Sequence, residues 1–410
     1  MAGPGAYLIG EEEKREVMDV MESGHLSRYG DPDDPKFKKK VATFEKEYAA
    51  YLGTKYSILV NGGTSACLIS LTALGIGPGD EVIVPGFTFI ASISSIAYAR
   101  AIPVLAEIDE SLTIDPEDIE KKITNRTKAI MPVHILGNPC NMDAIMEIAR
   151  ENNLYVVEDA CQAVGGSYKG KKLGSIGDIG AFSFNWYKTI TTGDGGAVAV
   201  NDDLVYEKAF GFHDQGHRPY RFGQEVGKRS ILGISFKVNE LTGAVALAQL
   251  RKLDSIVATL RKNKKKLKDS LTGLKGVDFR KINDEGECGT MLALLFENKD
   301  IAENFADKLN GKTLYESGWH NYNNMENLLG EKMPSTFNCP FDCKEYAKKV
   351  EYKRHMLPKT DDILSRSVGI SIGVVDKALA VGTGLNILST DKDIKDVSEK
   401  IIRALKEVRA

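Results

Sequence analysis

Between Tyr56 and Ala160 the chain alternates short apolar runs with longer amphipathic stretches. The runs are YSILV (56–60), EVIVP (81–85), IPVLAEI (102–108), KAIMPVHI (128–135) and LYVVEDA (154–160). Between them lie the helix-like segments TSACLISLTALG (64–75), TFIASISSIAYARA (88–101), DPEDIEKKI (115–123) and NMDAIMEIARENN (141–153). Strand–helix alternation at this spacing predicts an α/β unit whose mostly parallel sheet is covered on both faces. GAFSF (180–184) and GGAVAVN (195–201) extend that sheet, one of them antiparallel.

The texture changes after residue 237. Residues 238–267 read as one long helix with few breakers, and the remainder mixes a few strands, such as TMLALLF (290–296), with helices near 299–309 and 391–408. A chain of 410 residues is too long for one core. The pattern divides it into a large domain with its N-terminal segment (1–255) and a small C-terminal α+β domain (256–410).

Composition narrows the function. The net charge of −3 leaves no basic excess to neutralise phosphates, so nucleic acid is not an expected partner. The one dense basic run, RKNKKKLK (261–268), reads as a solvated helix face. No apolar stretch reaches the ~18–20 residues of a membrane span, and the first residues lack the basic and apolar regions of a signal peptide. Six cysteines without a framework fit reduced thiols and a cytoplasmic location. Cys339 and Cys343 form a C-x3-C, but no second ligand pair follows, so no metal is expected.

Two glycine-bearing stretches have ordinary explanations. Gly75, Gly77 and Gly79 follow a helix and precede a strand, the reverse of a dinucleotide-binding turn; a helix C-cap and a turn account for them. GDGG (193–196) reads as a turn before GAVAVN. No GxxxxGK[ST] phosphate loop occurs.

Three features carry chemistry together. LYVVEDA ends a buried strand in Glu158 and Asp159, and a carboxylate at the carboxyl end of a parallel strand points into the ligand crevice, or else caps a helix or forms a salt bridge. VNGGTSACLISL places Gly62, Gly63, Thr64 and Ser65 where a helix starts, as an anion site or as a plain Thr or Ser N-cap. Lys188 sits between Trp186, Tyr187 and a run of Thr and Gly. A desolvated lysine has a lowered pKa, so its amine can attack a carbonyl and form a Schiff base. Pyridoxal phosphate needs an anion cradle, an acid for its ring nitrogen and a lysine for its aldehyde. Phe87 or Phe89 could lie flat on such a ring, or either could be core.

With GGTSA (62–66), GPGDEVIVPGFTFIAS (77–92), VVEDACQAVGGSYKGKKLGSIGDIGAFSF (156–184) and KTITTGDGGAVAVND (188–202), the chain resembles the DegT/DnrJ/EryC1/StrS family of sugar aminotransferases. These are pyridoxal phosphate enzymes of the aspartate-aminotransferase-like fold type I. The likeness covers residues 7–255 well and the rest loosely. It implies a mixed, mainly parallel seven-stranded sheet and an active site shared across a homodimer. It further implies that Lys188 is the cofactor lysine, Asp159 pairs with the ring nitrogen, Gln162 lies near the ring hydroxyl and Phe89 stacks on the ring. Gly63, Thr64, Ser65 and Ser183 would hold the phosphate. A ping-pong reaction would bring the amine from L-glutamate and deliver it to a keto or aldehyde sugar.

The chain also departs from the family. Where the family usually has G-x-N-x-R-M, its Asn reaching across to the partner subunit's phosphate, GISFKVNEL (233–241) has Ser235 and Lys237 in the Asn and Arg places; H-P-T before the lysine is replaced by NWY (185–187). The dehydratase branch carries His at the tether position, and Lys188 argues for transamination. A silent regulator would have lost the lysine, the acid or the phosphate turn, and a nicotinamide oxidoreductase would carry a Gly-rich turn after an early strand. Candidate sugar-facing residues are His213 and His217 in HDQGHRPYR (213–221), His320 and Tyr322 in WHNYNN (319–324), and Arg366. Most of the family takes nucleotide-linked keto sugars. HDQGH and LPKTDDILSRS look more like the branch that makes 8-amino-3,8-dideoxy-octulosonate for lipopolysaccharide.

Overall fold

A computed structural model describes residues 2–219, 229–334, 339–342, 350–373 and 379–408. Its strands are β1 (Tyr56–Val60), β2 (Glu81–Pro85), β3 (Ile102–Ala106), β4 (Thr127–Ile130), β5 (Tyr155–Asp159), β6 (Ser167–Tyr168), β7 (Lys171–Lys172), β8 (Ile179–Ser183), β9 (Gly196–Val200), β10 (Val277–Phe279), β11 (Met291–Phe296) and β12 (Ser367–Ser371). The large sheet has seven strands in the order β1-β9-β8-β5-β4-β2-β3. Pairings from β8 through β5, β4 and β2 to β3 are parallel. β9 is antiparallel to both its neighbours. Because β9 reverses twice, β1 runs in the same direction as β8, and the carboxyl ends of β1, β2, β4, β5 and β8 share one edge.

The alternation of side chains shows why both faces are covered. Leu59, Ile83, Ile130, Val156, Phe182, Ala197 and Ala199 pack into one buried cluster. Their strand neighbours Ile58, Val60, Val82, Val84, Ala129, Val157, Ala181, Val198 and Val200 pack into another. A period of two thus feeds two cores, and each fully buried Val, Leu or Ile is worth roughly 1.5–3 kcal/mol. The covering helices include Gly63–Ala73, Ile90–Tyr98, Pro116–Lys122, Met142–Glu151 and Asp203–His213. Asp115, Asn141 and Asp202 cap three of them through side-chain oxygens.

A three-stranded antiparallel sheet, β10-β11-β12, forms the C-terminal α+β part with helices Lys299–Lys308, Pro358–Ser365 and Asp391–Glu407. The single long helix expected over 238–267 is instead two, Glu240–Leu250 and Leu253–Leu271. No Gly or Pro separates them. The break falls at Arg251 and Lys252, whose side chains are drawn to Glu16 and Glu47 and to Leu8 O and Glu13.

The basic run 261–268 is not wholly solvated. Lys264 is buried, paired with Glu287, and burial pushes its amine down to about 8. Cys339 is disulfide-bonded, against the expectation of reduced thiols throughout, while Cys67, Cys140, Cys161 and Cys288 are free; Cys343 lies outside the described residues. Among the described residues no helix is long and apolar enough to cross a membrane.

Candidate active site

At the shared carboxyl edge a cavity of about 520 Å³ opens between the large sheet and β11. Gly63, Thr64, Phe89, Asp159, Gln162, Ser183, Lys188 and His320 line it. The carboxyl ends of β1, β2, β5 and β8 and the segments that follow them deliver seven of these residues to one place.

Asp159 closes β5 and is buried. Ser92 Oγ donates to its Oδ2 at 2.6 Å, and the Cys161 N–H donates to its Oδ1 at 3.1 Å. Its neighbour Glu158 points to the opposite face, as strand alternation requires. There Glu158 accepts the N–H groups of Gly174, Ile176 and Gly177 at 2.8, 2.5 and 2.6 Å. His134 completes that set: Cys140 N–H donates to its Nδ1, so Nε2 carries the proton and donates to Glu158 at 3.0 Å. Of the two adjacent acids, one is a structural hub and one faces the cavity.

The helix Gly63–Ala73 starts at the cavity wall with Gly62 as its N-cap and no side-chain cap. The N–H groups of its first turn have no partner within the helix. The plain Thr or Ser cap is therefore not what this turn forms. Ser183 stands alongside; a Cβ on Gly63 would come within 2.7 Å of Ser183 Cβ, so only glycine allows that approach. Ser65 does not line the cavity, because its hydroxyl donates to Asn61 Oδ1 at 2.6 Å.

Lys188 is half-buried on the loop 184–195 between β8 and β9. GDGG ends this loop rather than forming a tight hairpin. Gln162 lines the cavity, and its Oε1 accepts from Leu136 N at 3.0 Å. Phe87 is core, whereas Phe89 is 40% exposed. The Phe89 ring leans on Trp319 and His320, with centroids 6.4 and 5.4 Å away. His320 is buried, bonds Ser317 Oγ at 3.2 Å, and is pushed down to about 3 by burial and by the charge of Lys188. It is a neutral imidazole in the wall.

The other candidates lie elsewhere. His213 is buried in the core: its Nδ1–H donates to Phe210 O at 2.6 Å, and Arg28 Nη1 donates to its Nε2 at 3.0 Å. Tyr322 is buried behind the wall, donating to Asp361 Oδ1 at 3.2 Å and accepting from Leu357 N at 2.9 Å. Arg366 is held by Asp362 at 2.9 Å. His217 and Ser235 also do not line this cavity; Ser235 is exposed and bridges to Asp214. Tyr220 and Arg221 are outside the described residues.

Sequence reasoning missed Thr88, Ser92, Cys67, Thr290 and Trp319 in the lining. Ser92 had a signal: it lies one helical turn beyond Thr88, and the two hydroxyls bond at 2.7 Å. Thr290 had none, because it arrives from the second sheet.

An uncapped helix N-terminus with a serine, a buried carboxylate and an amine, converging on one cavity of a mainly parallel sheet, fit the phosphate, ring nitrogen and aldehyde of pyridoxal phosphate. They define a pyridoxal-phosphate-dependent aminotransferase of fold type I. The chain belongs to the DegT/DnrJ/EryC1/StrS aminotransferase family, whose model matches residues 8–375. It is 43% identical over 250 residues to the GDP-perosamine synthase of Caulobacter vibrioides, covering 60% of this chain and 63% of that protein. It is 37% identical over 306 residues to the GDP-perosamine synthase of Escherichia coli O157:H7, covering 73% and 80%. The solved aminotransferase of Psychrobacter cryohalolentis superposes with a TM-score of 0.78 at 26% identity, covering 98% of both chains.

Proposed function

We propose that this protein moves an amino group from L-glutamate to a keto sugar carried on a nucleotide, within amino-sugar biosynthesis. The convergence of Lys188, Asp159 and the helix start at Gly63 on one cavity carries the reading. Bound there, pyridoxal phosphate supplies the carbonyl that takes up the amine and a ring that withdraws electrons from the carbon being deprotonated. Lys188 Nζ takes that proton and returns it. Asp159, oriented by Ser92 and the Cys161 N–H, holds the proton on the ring nitrogen. The N–H groups of Gly63 and Thr64 and the Ser183 hydroxyl hold the phosphate. Phe89 covers one ring face, Gln162 meets the ring hydroxyl, and His320 offers a neutral hydrogen-bonding group to the sugar.

Relatives named for GDP- and dTDP-linked sugars weight the acceptor toward a nucleotide-linked one. The octulosonate alternative drew on the HDQGH and LPKTDDILSRS stretches. His213 and Arg366, from those stretches, are tied up outside the cavity. A homodimer that shares the site is supported by the aromatics left open at the mouth, Phe89, Tyr187 and Trp319 at 40, 45 and 61% exposure. Leu232 and Ile234, just before Ser235, are also exposed. Ser235 would make the cross-subunit contact, and the reaction would run in the cytoplasm, where L-glutamate is available.

The test is the visible spectrum of the purified protein with pyridoxal phosphate, before and after L-glutamate. A band that bleaches with glutamate and returns with a nucleotide-linked keto sugar is the expected result. A band indifferent to glutamate would remove the donor, and no band at all would remove the cofactor assignment.

A further inference from the structure

The loop that carries Lys188 is held from behind by a segment that precedes the residues matched by the family model. Gly3 N–H donates to Trp186 O at 3.0 Å, and Gly5 N–H donates to Lys188 O at 3.4 Å. The backbone on both sides of Tyr187 is therefore paired to the start of the short N-terminal helix Pro4–Tyr7. Lys188 N–H donates in turn to Asn185 O at 2.9 Å, within the loop.

The approach is close enough to exclude any side chain. A Cβ on Gly3 would lie 2.3 Å from the carbonyl carbon of Tyr187 and 2.7 Å from Lys188 N. A Cβ on Gly5 would lie 2.7 Å from Ile190 Cα and 2.6 Å from Gln249 Oε1. Backbone cannot give way by such amounts without moving the loop.

Gln249 locks the two together. It is fully buried, and its amide is shared three ways: Nε2 donates to Gly5 O at 3.3 Å and to Glu13 Oε1 at 2.8 Å, while Oε1 accepts from Thr191 N at 3.2 Å. Lys252 Nζ adds bonds to Leu8 O at 2.9 Å and to Glu13 at 2.8 Å. A buried polar network of this kind is rigid when every member is satisfied. Pro4 also meets Gly373, two residues past β12, since a Cβ there would lie 3.0 Å from Pro4 Cγ. The segment thus touches the lysine loop, the helix Glu240–Leu250 and the residues after β12.

We propose that Gly3–Gly5, locked by Gln249, is a positioning element that sets where the Lys188 side chain leaves the backbone relative to Asp159. The proposal rests on the assignment of Lys188 as the cofactor lysine. The long flexible side chain alone cannot fix the amine; a fixed backbone origin restricts where Nζ can reach, and small misplacements of a reacting group are costly.

The experiment compares Gly3→Ala, Gly5→Ala and Gln249→Leu with Gly286→Ala, a glycine outside the cavity lining whose Cβ would meet Ser167 Oγ at 2.2 Å. Each full-length variant is loaded with pyridoxal phosphate. Three quantities are read: Tm, the pH midpoint of the visible cofactor band, and the rate of cofactor loss on dilution. The first three variants should move the midpoint by about one pH unit, a tenfold change in the proton equilibrium, and cofactor loss, read separately, should quicken several-fold. Gly286→Ala should lower Tm and leave midpoint and loss rate as in the wild type. Wild-type midpoint and loss rate in the first three, whatever their Tm, would overturn the proposal, as would an equal shift in Gly286→Ala. If Gly3→Ala and Gly5→Ala do not fold, Gln249→Leu decides, since it leaves the glycines in place. A wild-type protein without a band would overturn the cofactor assignment and the proposal with it.

Discussion

Ser92 donates to Asp159 across 2.6 Å, from a helix that begins beside Phe89. The acid is thus oriented by the same element that presents Phe89 to the cavity. A hydrogen bond to a charged group is worth about 1.5–3 kcal/mol. Ser92→Ala should therefore slow the half-reaction with L-glutamate roughly ten- to hundredfold, at 1.4 kcal/mol per decade. Asp159→Asn should slow it much further while leaving the cofactor bound. Stopped-flow decay of the visible band measures both, and a Ser92→Ala rate equal to the wild type would show that Cys161 N–H alone suffices to orient the acid.

Lys188→Ala should abolish turnover. No other lysine lines the cavity among the described residues, so no other amine is placed to move the proton. The variant should still bind added pyridoxal phosphate through the cradle and Asp159, without the tethered absorbance. Normal turnover by Lys188→Ala would sink the assignment.

Much of this was legible in the sequence. Uninterrupted Val and Ile runs can only be covered strands, and the alternation of Ile58 with Leu59 or Val82 with Ile83 into opposite cores follows from pleating. Asp159 and Gly63 could be read because each sits at or just after the end of a strand, and Lys188, out on a loop, only through its company with them. His213 and Arg366 could not be judged from their stretches alone: Arg28, far away in sequence, takes the first, and Asp362, one turn back on the preceding helix, holds the second. Tyr322 was chosen from its loop, yet the loop pairs Thr88 N–H with His320 O, presents Trp319 and His320 to the cavity, and then turns, so that Tyr322 points backward to Asp361. Thr290 comes from a separate sheet, and no local pattern marks that kind of contact.

Buried histidines predict how acid acts on the fold. Burial and Arg28 push His213 down to about 3, and burial and Lys188 do the same to His320. Both rings are neutral when folded and titrate at 6.5 when exposed. Their folded values are depressed, so the stability they contribute is present above about pH 6.5 and drains as pH falls toward 3. His213→Gln keeps a donor and an acceptor without the titration. Its Tm should fall less steeply with pH over that window than that of the wild type. Parallel Tm–pH curves would mean that the ring is not buried neutral.

The thiol of Cys161 lines the cavity, yet the Cys67 thiol beside it and burial push it well above its ordinary value. A thiolate is the reactive form. Alkylation of Cys161 by iodoacetamide should therefore be slow at neutral pH and quicken only in strongly alkaline solution, and bound cofactor should slow it further. Rapid labelling at neutral pH would contradict the packing of the two sulfurs.

Gly63→Ala tests the phosphate cradle without touching a charged group. The added methyl would meet Ser183 Cβ at 2.7 Å and Cys161 Sγ at 3.1 Å. The helix start and the serine must move apart, and both are needed to hold one anion. The expected result is a cofactor Kd raised by at least a factor of ~10, about 1.4 kcal/mol, measured by titrating the apoprotein with pyridoxal phosphate. The same titration with pyridoxal, which lacks the phosphate, separates the cradle from the ring contacts. The variant and the wild type should bind pyridoxal alike. An equal loss for pyridoxal would place the damage at Asp159 or Lys188 instead of at the helix N-terminus.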